Sequence, residues 1–225
     1  MFYKVFLLIQ KIKWNYFGFI NPKYFVWTFK GNITEENFDE SGKDDYEKYI
    51  KRDKLLLEQL NPASAEVLEI GSGAGRITKY LAQAFKKVIA SDISSVMLRL
   101  AKKRLSNALN VDYLTSNGEK YKLKDNSIDL VFSYIVFQHF PSKKLVINNL
   151  KEIHRILRPA GLAKIQFRGK PAFGGKLRYL KWYYGVNFKL EELRNILETI
   201  NFEVQKIEGD DCRDLWATFK KDQRL

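Results

Sequence analysis

From residue 67 onward the chain alternates short apolar runs with amphipathic stretches. The runs at 67–70, 88–92 and 113–116 have strand length, and the segments between them place apolar residues at helical spacing as far as Phe85 and Ala108. Residues 127–136, SIDLVFSYIV, form a nearly continuous apolar run, the pattern of a strand covered on both faces. Residues 141–157, PSKKLVINNLKEIHRIL, return to helical periodicity and stop at RPAG, where proline and glycine end a helix. A strand at 162–168, a helix at 190–200 and two further strands, FEVQKIE and LWATFKK, complete the series. Strands that alternate with helices are joined by parallel crossovers, so the pattern predicts an α/β fold with a doubly wound, mostly parallel sheet.

The first 54 residues follow no such alternation and form a separate N-terminal helical extension ahead of a main domain at 55–225. Residues 1–30 carry five lysines, no acids and a high density of aromatic and aliphatic side chains. Phe2, Val5, Phe6, Ile9 and Ile12 recur at helical spacing, which predicts burial against the protein's own core; the competing reading for residues 1–20 is an interfacial helix in peripheral contact with a membrane. The unbroken apolar stretch at 5–9 is too short for a signal-peptide core or a bilayer span, so the expected location is the cytoplasm. Residues 34–45, TEENFDESGKDD, read as a polar loop with helix-start residues that links extension and domain, with 38–46 a candidate lid.

The chemistry concentrates where the first strand ends. Residues 67–78, VLEIGSGAGRIT, run from a strand into glycines at alternate positions and then a helix, a turn that lets a ligand approach backbone N–H groups closely. A dinucleotide fingerprint would read G-x-G-x-x-G; here Gly71, Ser72, Gly73, Ala74 and Gly75 are followed by Arg76 where the third fingerprint glycine belongs. Glu69, near the strand end, would repel a pyrophosphate and attract an ammonium or sulfonium. Asp92 lies about 20 residues beyond the first glycines, the spacing at which a carboxylate accepts from ribose hydroxyls.

A nucleoside with a cationic tail satisfies both acids, and at this point the chain resembles the class I S-adenosylmethionine-dependent methyltransferases. The motifs that carry the resemblance are LEIGSGAG, SDIS, DNSIDLVFSYIVFQHFP and LKEIHRILRPAG, and it extends from about Leu55 to the end of the chain. It implies a Rossmann-like sheet of seven strands with the last inserted antiparallel, and S-adenosyl-L-methionine as cofactor. Gly71, Ser72 and Gly73 would meet the amino-acid part of that cofactor, Gly75 would allow close helix packing, and Asp92 would hold the ribose. Ile93 and Met97 are candidates for the adenine face. Asn117 stands where the family places an acid that accepts from the adenine amino group, with Gly118 and Glu119 as neighbouring candidates. Ser133, Tyr134 and Gln138 fall beside the methionine end. His139 is the candidate general base if the acceptor is a hydroxyl, since its free pKa suits that work.

Charge narrows the acceptor only partly. The chain carries a formal charge of +13, and residues 141–190 hold twelve Lys or Arg against one acid, Glu152. Within them the segment at 168–189 interleaves Lys170, Lys176, Arg178 and Lys181 with aromatics including Tyr183, a composition that suits an anionic small molecule or stacked bases. Enzymes that methylate exocyclic amines of bases show Asp or Asn before Pro-Pro-aromatic where this chain has FSYIV. One cysteine, Cys212, far downstream, does not supply the nucleophile of cytosine C5 chemistry, and with two histidines it gives no basis for a metal site. The expected function is therefore methyl transfer to an O or N atom of a small molecule such as a sugar or secondary metabolite. RNA methylation and an inactive cofactor-binding scaffold are the alternatives, and the oligomeric state is not legible.

Overall fold

The computed structural model describes residues 2–27, 31–170, 185–209 and 213–222. Its strands are β1 (Glu66–Ile70), β2 (Lys87–Asp92), β3 (Val111–Thr115), β4 (Ile128–Ser133), β5 (Leu157–Arg168), β6 (Phe202–Glu208) and β7 (Asp214–Lys221). They form one seven-stranded sheet in the order β3-β2-β1-β4-β5-β7-β6. β1, β2 and β3 pair in parallel, as do β4 and β5, while β7 runs antiparallel to β5 and β6. The expected Rossmann-like architecture with its antiparallel last strand is the one observed. The chain divides into two compact units, residues 1–117 and 118–225.

In the first unit the helices are α1 (Phe2–Ile20), α2 (Pro22–Trp27), α3 (Glu35–Tyr46), α4 (Lys54–Leu57), α5 (Thr78–Ala84) and α6 (Ser95–Arg104). Val67 and Leu68 of β1 and Val88 and Ala90 of β2 are fully buried, so this half of the sheet is covered on both faces. The segment expected to be a polar loop is helix α3. Thr34 caps it, its side chain accepting from the Asn37 N–H at 3.2 Å, and Glu35 and Glu36 place negative charge in its first turn. Its single buried aromatic, Phe38, packs with Ala74 and Met97, and Val26 and Trp27 of α2 pack against the same cluster. Arg76, also buried, donates to the Ser41 carbonyl at 2.8 Å and pairs with Asp45 at 2.6 Å, which ties α3 to the glycine turn.

α1 does pack on its own domain, but through a different face from the one its spacing suggested. The Asn15 side-chain oxygen accepts from Ser94 Oγ at 2.9 Å and from the Val96 N–H at 3.3 Å, and Gly18 lies against Val96. Phe17 stacks on Phe25 of α2 with ring centroids 3.9 Å apart. Val5, Ile9 and Ile12, expected in the core, are exposed.

In the second unit α7 (Lys143–Ile156) and α8 (Leu190–Thr199) accompany β4 to β7. RPAG does not precede a strand. It lies inside β5 as an irregularity that shifts the register on β4 between Ile128 and Leu130: β5 advances from Leu157 to Leu162 while β4 advances two positions, so three extra residues bulge out, with Ala160 at φ 62° among them. The basic surplus of 141–190 is partly neutralised by acids from elsewhere in the unit: Lys143 pairs with Glu192, Arg155 with Asp125 and Arg158 with Asp129.

Candidate functional site

In the first unit, the turn after β1 is a nest of backbone groups. Gly71, Gly73 and Gly75 have φ values of 76°, 53° and 81°, in the left-handed region that side chains rarely adopt. The Gly71 and Ser72 N–H groups donate to the Ser91 carbonyl at 2.7 and 3.0 Å, which holds the turn against the end of β2. A Cβ on Gly75 would lie 3.0 Å from Leu105 and 3.2 Å from Ala101, so this glycine sets how closely α6 packs. A Cβ on Gly73 would lie 2.8 Å from Val26, which places α2 directly over the turn.

Two carboxylates belong to this turn. Glu69 is 4% exposed, and its Oε2 accepts from Thr78 Oγ1 at 2.5 Å. Burial pushes its pKa up to about 7, against the smaller lowering effects of the Thr78 bond and Arg76. Asp92 accepts from the Gly73 N–H at 2.9 Å through Oδ2 and from the Ser94 N–H at 2.8 Å through Oδ1. Burial raises Asp92 to about 6, with the N–H donors of Ser94, Gly73 and Ile93 opposing the rise. Capping of α6 falls to Ser94, whose Oγ accepts from the Met97 N–H at 3.1 Å, so Asp92 is not spent as a helix cap. Its oxygens are oriented by backbone donors and each keeps a lone pair for a further hydroxyl.

The remaining candidates of this unit follow. Ile93 is half-buried beside Asp92, Met97 is buried with Phe38 and Ala74, and Asn117 is exposed after β3. The Ser116 N–H donates to the Asp92 carbonyl at 2.9 Å, which fixes where that turn leaves the sheet.

In the second unit, Gly118 turns with φ 84°, and its carbonyl accepts from Asn149 Nδ2 at 2.6 Å; Glu119 is half-buried beside it. Asn149, fully buried on α7, also accepts from the Tyr121 hydroxyl at 2.7 Å. Ser133 ends β4, fully buried, and Tyr134 stacks on Trp216 at 5.4 Å. The strand stops short of the expected residue 136 because Ile135 sits at φ 58°, a strained value for a β-branched residue. The buried Gln166 side chain accepts the Ile135 N–H at 3.1 Å and holds that conformation. Gln138 and His139 follow in a short 3-10 turn, both buried, with Gln138 Nε2 3.3 Å from His139 Nε2. The end of the basic insertion returns to this turn: a Cβ on Gly185 would lie 1.8 Å from the Gln138 carbonyl, and the Val186 N–H donates to the Phe140 carbonyl at 3.1 Å. Lys170 is exposed where β5 runs out, whereas Lys176, Arg178, Lys181 and Tyr183 lie outside the described residues. The sequence reading missed Gln166 and Asn149, since nothing local marks a buried amide that acts across strands.

Residues 68–165 match the methyltransferase domain family, a span that takes in the glycine turn, Asp92, the end of β4 and His139. Over those residues the chain carries a methyltransferase domain of the class I S-adenosylmethionine-dependent type. It is 31% identical over 150 residues to a malonyl-[acyl-carrier protein] O-methyltransferase of Marinomonas sp. (strain MWYL1), covering 63% of this chain and 53% of that one. It is also 31% identical over 127 residues to a ubiquinone/menaquinone biosynthesis C-methyltransferase of Wigglesworthia glossinidia brevipalpis, covering 54% and 48%. The chain thus spans about half the length of these curated relatives. In fold it matches magnesium protoporphyrin IX methyltransferase from Synechocystis PCC 6803, solved with bound SAH, at a TM-score of 0.70 and 18% identity over 95% of this chain and 99% of that one. The residues of the turn fit S-adenosyl-L-methionine: buried Glu69 and half-buried Asp92 offer a sulfonium or ammonium and two ribose hydroxyls the charge and acceptors they need, and Gly71 and Gly73 add no side chain to the turn.

Proposed function

We propose that this methyltransferase moves the methyl group of S-adenosyl-L-methionine to an O or N atom of a small-molecule acceptor in the cytoplasm. The observation that carries the reading is the pair of carboxylates at a glycine turn, Glu69 buried and Asp92 half-buried: desolvation raises both, so a cationic, hydroxyl-bearing ligand relieves both. When bound, the cofactor supplies an electrophilic methyl carbon whose transfer leaves a neutral thioether. The protein's share is mainly positioning, because in-line displacement needs donor and acceptor held in near-attack geometry. Gly71, Ser72 and Gly73 cradle the amino-acid end, Ile93 and Met97 border the base, and one of Asn117, Gly118 and Glu119 accepts from the adenine amino group. Ser133, Tyr134 and Gln138 shape the methyl end, and His139 takes the proton of a hydroxyl acceptor. Residues 1–54 act as extension and lid over the domain at 55–225, with α2 and α3 packed at the turn in support.

The insertion at 168–189 is the acceptor-side element in this reading, its Lys170, Lys176, Arg178, Lys181 and Tyr183 meeting an anionic or aromatic acceptor. The names of the relatives support a small acceptor, and FSYIV argues against exocyclic-amine methylation of bases. The test supplies purified chain with methyl-labelled cofactor and either a small-molecule extract or total RNA, at low and moderate salt. Label in the small-molecule fraction, reduced at least about tenfold in a Lys176→Glu, Arg178→Glu, Lys181→Glu variant that still folds, is the expected result. Label in RNA that falls by orders of magnitude with salt would make the protein an RNA methyltransferase instead.

A further inference from the structure

The outer face of α1 has no role in methyl transfer and no cover among the described residues. Val5, Leu8, Ile9, Ile12, Phe19 and Ile20 are between 50% and 79% exposed, and Tyr16 lies among them at 60%. Their spacing of three and four places them in one stripe along a helix of 19 residues, about 28 Å long. The opposite face is the one that binds the domain, through Asn15 on Ser94 and Val96, Gly18 on Val96 and Phe17 on Phe25. The stripe is therefore presented outward by a helix fixed on its other side. A contiguous apolar surface of this length is uncommon on a soluble monomer and marks an interaction site.

Charge selects the occupant. At about 100° per residue, Lys11 and Lys13 fall on opposite borders of the stripe, and the helix carries no acid. Lys11 is exposed; Lys13 is half-buried against Trp14, its Nζ 5.9 Å from that ring. An apolar stripe bordered by lysines matches the boundary between acyl chains and anionic headgroups, where long basic side chains keep their charge in the headgroup layer. A second copy of this chain seated on the same face would bring lysine borders together with no acids on either helix to offset them. No described helix is long and apolar enough to cross a membrane, so contact would be in the plane of the surface. We propose that α1 docks this protein on an anionic lipid bilayer through the stripe from Val5 to Ile20, with Lys11 and Lys13 against the headgroups.

The experiment is flotation of the full chain with vesicles of phosphatidylcholine alone or of phosphatidylcholine with phosphatidylglycerol, at low and moderate salt. The expected result is flotation with the anionic vesicles that weakens with salt. It should fall at least about tenfold in Leu8→Glu, Ile12→Glu, and lose its preference for phosphatidylglycerol in Lys11→Glu, Lys13→Glu. Cofactor affinity, measured on each variant, should stay at its wild-type value, since neither pair of residues touches the glycine turn. Equal flotation of wild type and the Leu8→Glu, Ile12→Glu variant would overturn the proposal, as would no flotation with either vesicle. A lipid-free dimer in sedimentation velocity that the same variant dissociates would also overturn it, and would assign the face to a second copy of this chain.

Discussion

At the residue scale, the buried Glu69 and the half-buried Asp92 are held above their free pKa values by desolvation, and this has a definite sign. Each native carboxyl keeps its proton to a higher pH than in the unfolded chain, up to about 7 for Glu69 and about 6 for Asp92. Their contribution to stability is thus present below the unfolded pKa values near 4 and is lost as pH rises through the folded ones. A bound cation favours ionised Glu69, so cofactor affinity should rise with pH from about 5 to 7, by up to tenfold per unit, and level off above. Calorimetry at several pH values checks this, and Glu69→Gln should flatten that part of the profile. Asp92→Ala should weaken cofactor binding by about 2 kcal/mol through loss of the ribose bonds; an unchanged affinity would confine Asp92 to bracing Gly73 and Ser94. These residues were legible in the sequence because glycine spacing and an acid at a strand end are local marks. Gln166 and Asn149 were not, because each acts on backbone about thirty residues away.

At the element scale, the strands and most helices followed from periodicity, and the departures have physical causes. α3 was hidden by its polarity: Phe38 is its one large apolar side chain, and its attachment runs through Arg76 and through Arg104, which donates to the Ala74 carbonyl at 2.7 Å and pairs with Glu35 and Asp39. Thr34 followed by Glu35 and Glu36 was the available sign of a helix start. β4 ended early because Gln166 stabilises a left-handed Ile135, which nothing in the run SIDLVFSYIV announces. α1 turns Val5, Ile9 and Ile12 outward because Asn15 and Gly18 make the close approach to α6 and Phe17 stacks on Phe25, which leaves the other side of the helix exposed. The turn that follows Ile135 carries the prediction at this scale. His139→Ala should lower turnover by about 10²-fold with a hydroxyl acceptor while leaving cofactor affinity unchanged, in single-turnover assays with the methyl-labelled donor. Full activity would leave positioning as the whole mechanism.

At the scale of the whole molecule, the fold and the family were readable from motif order alone, since four motifs in sequence constrain a seven-stranded sheet far more than one glycine turn does. The acceptor was not readable, because the composition of the insertion proposed to meet it fits several anions. The central claim is narrower: the turn after β1 is built for a cationic nucleoside and against a pyrophosphate. Isothermal titration of the purified chain with S-adenosylmethionine, S-adenosylhomocysteine and NAD tests it most directly. Saturable binding of both sulfur nucleosides with no heat from NAD is the predicted result; tight NAD binding with no response to either sulfur nucleoside would contradict it.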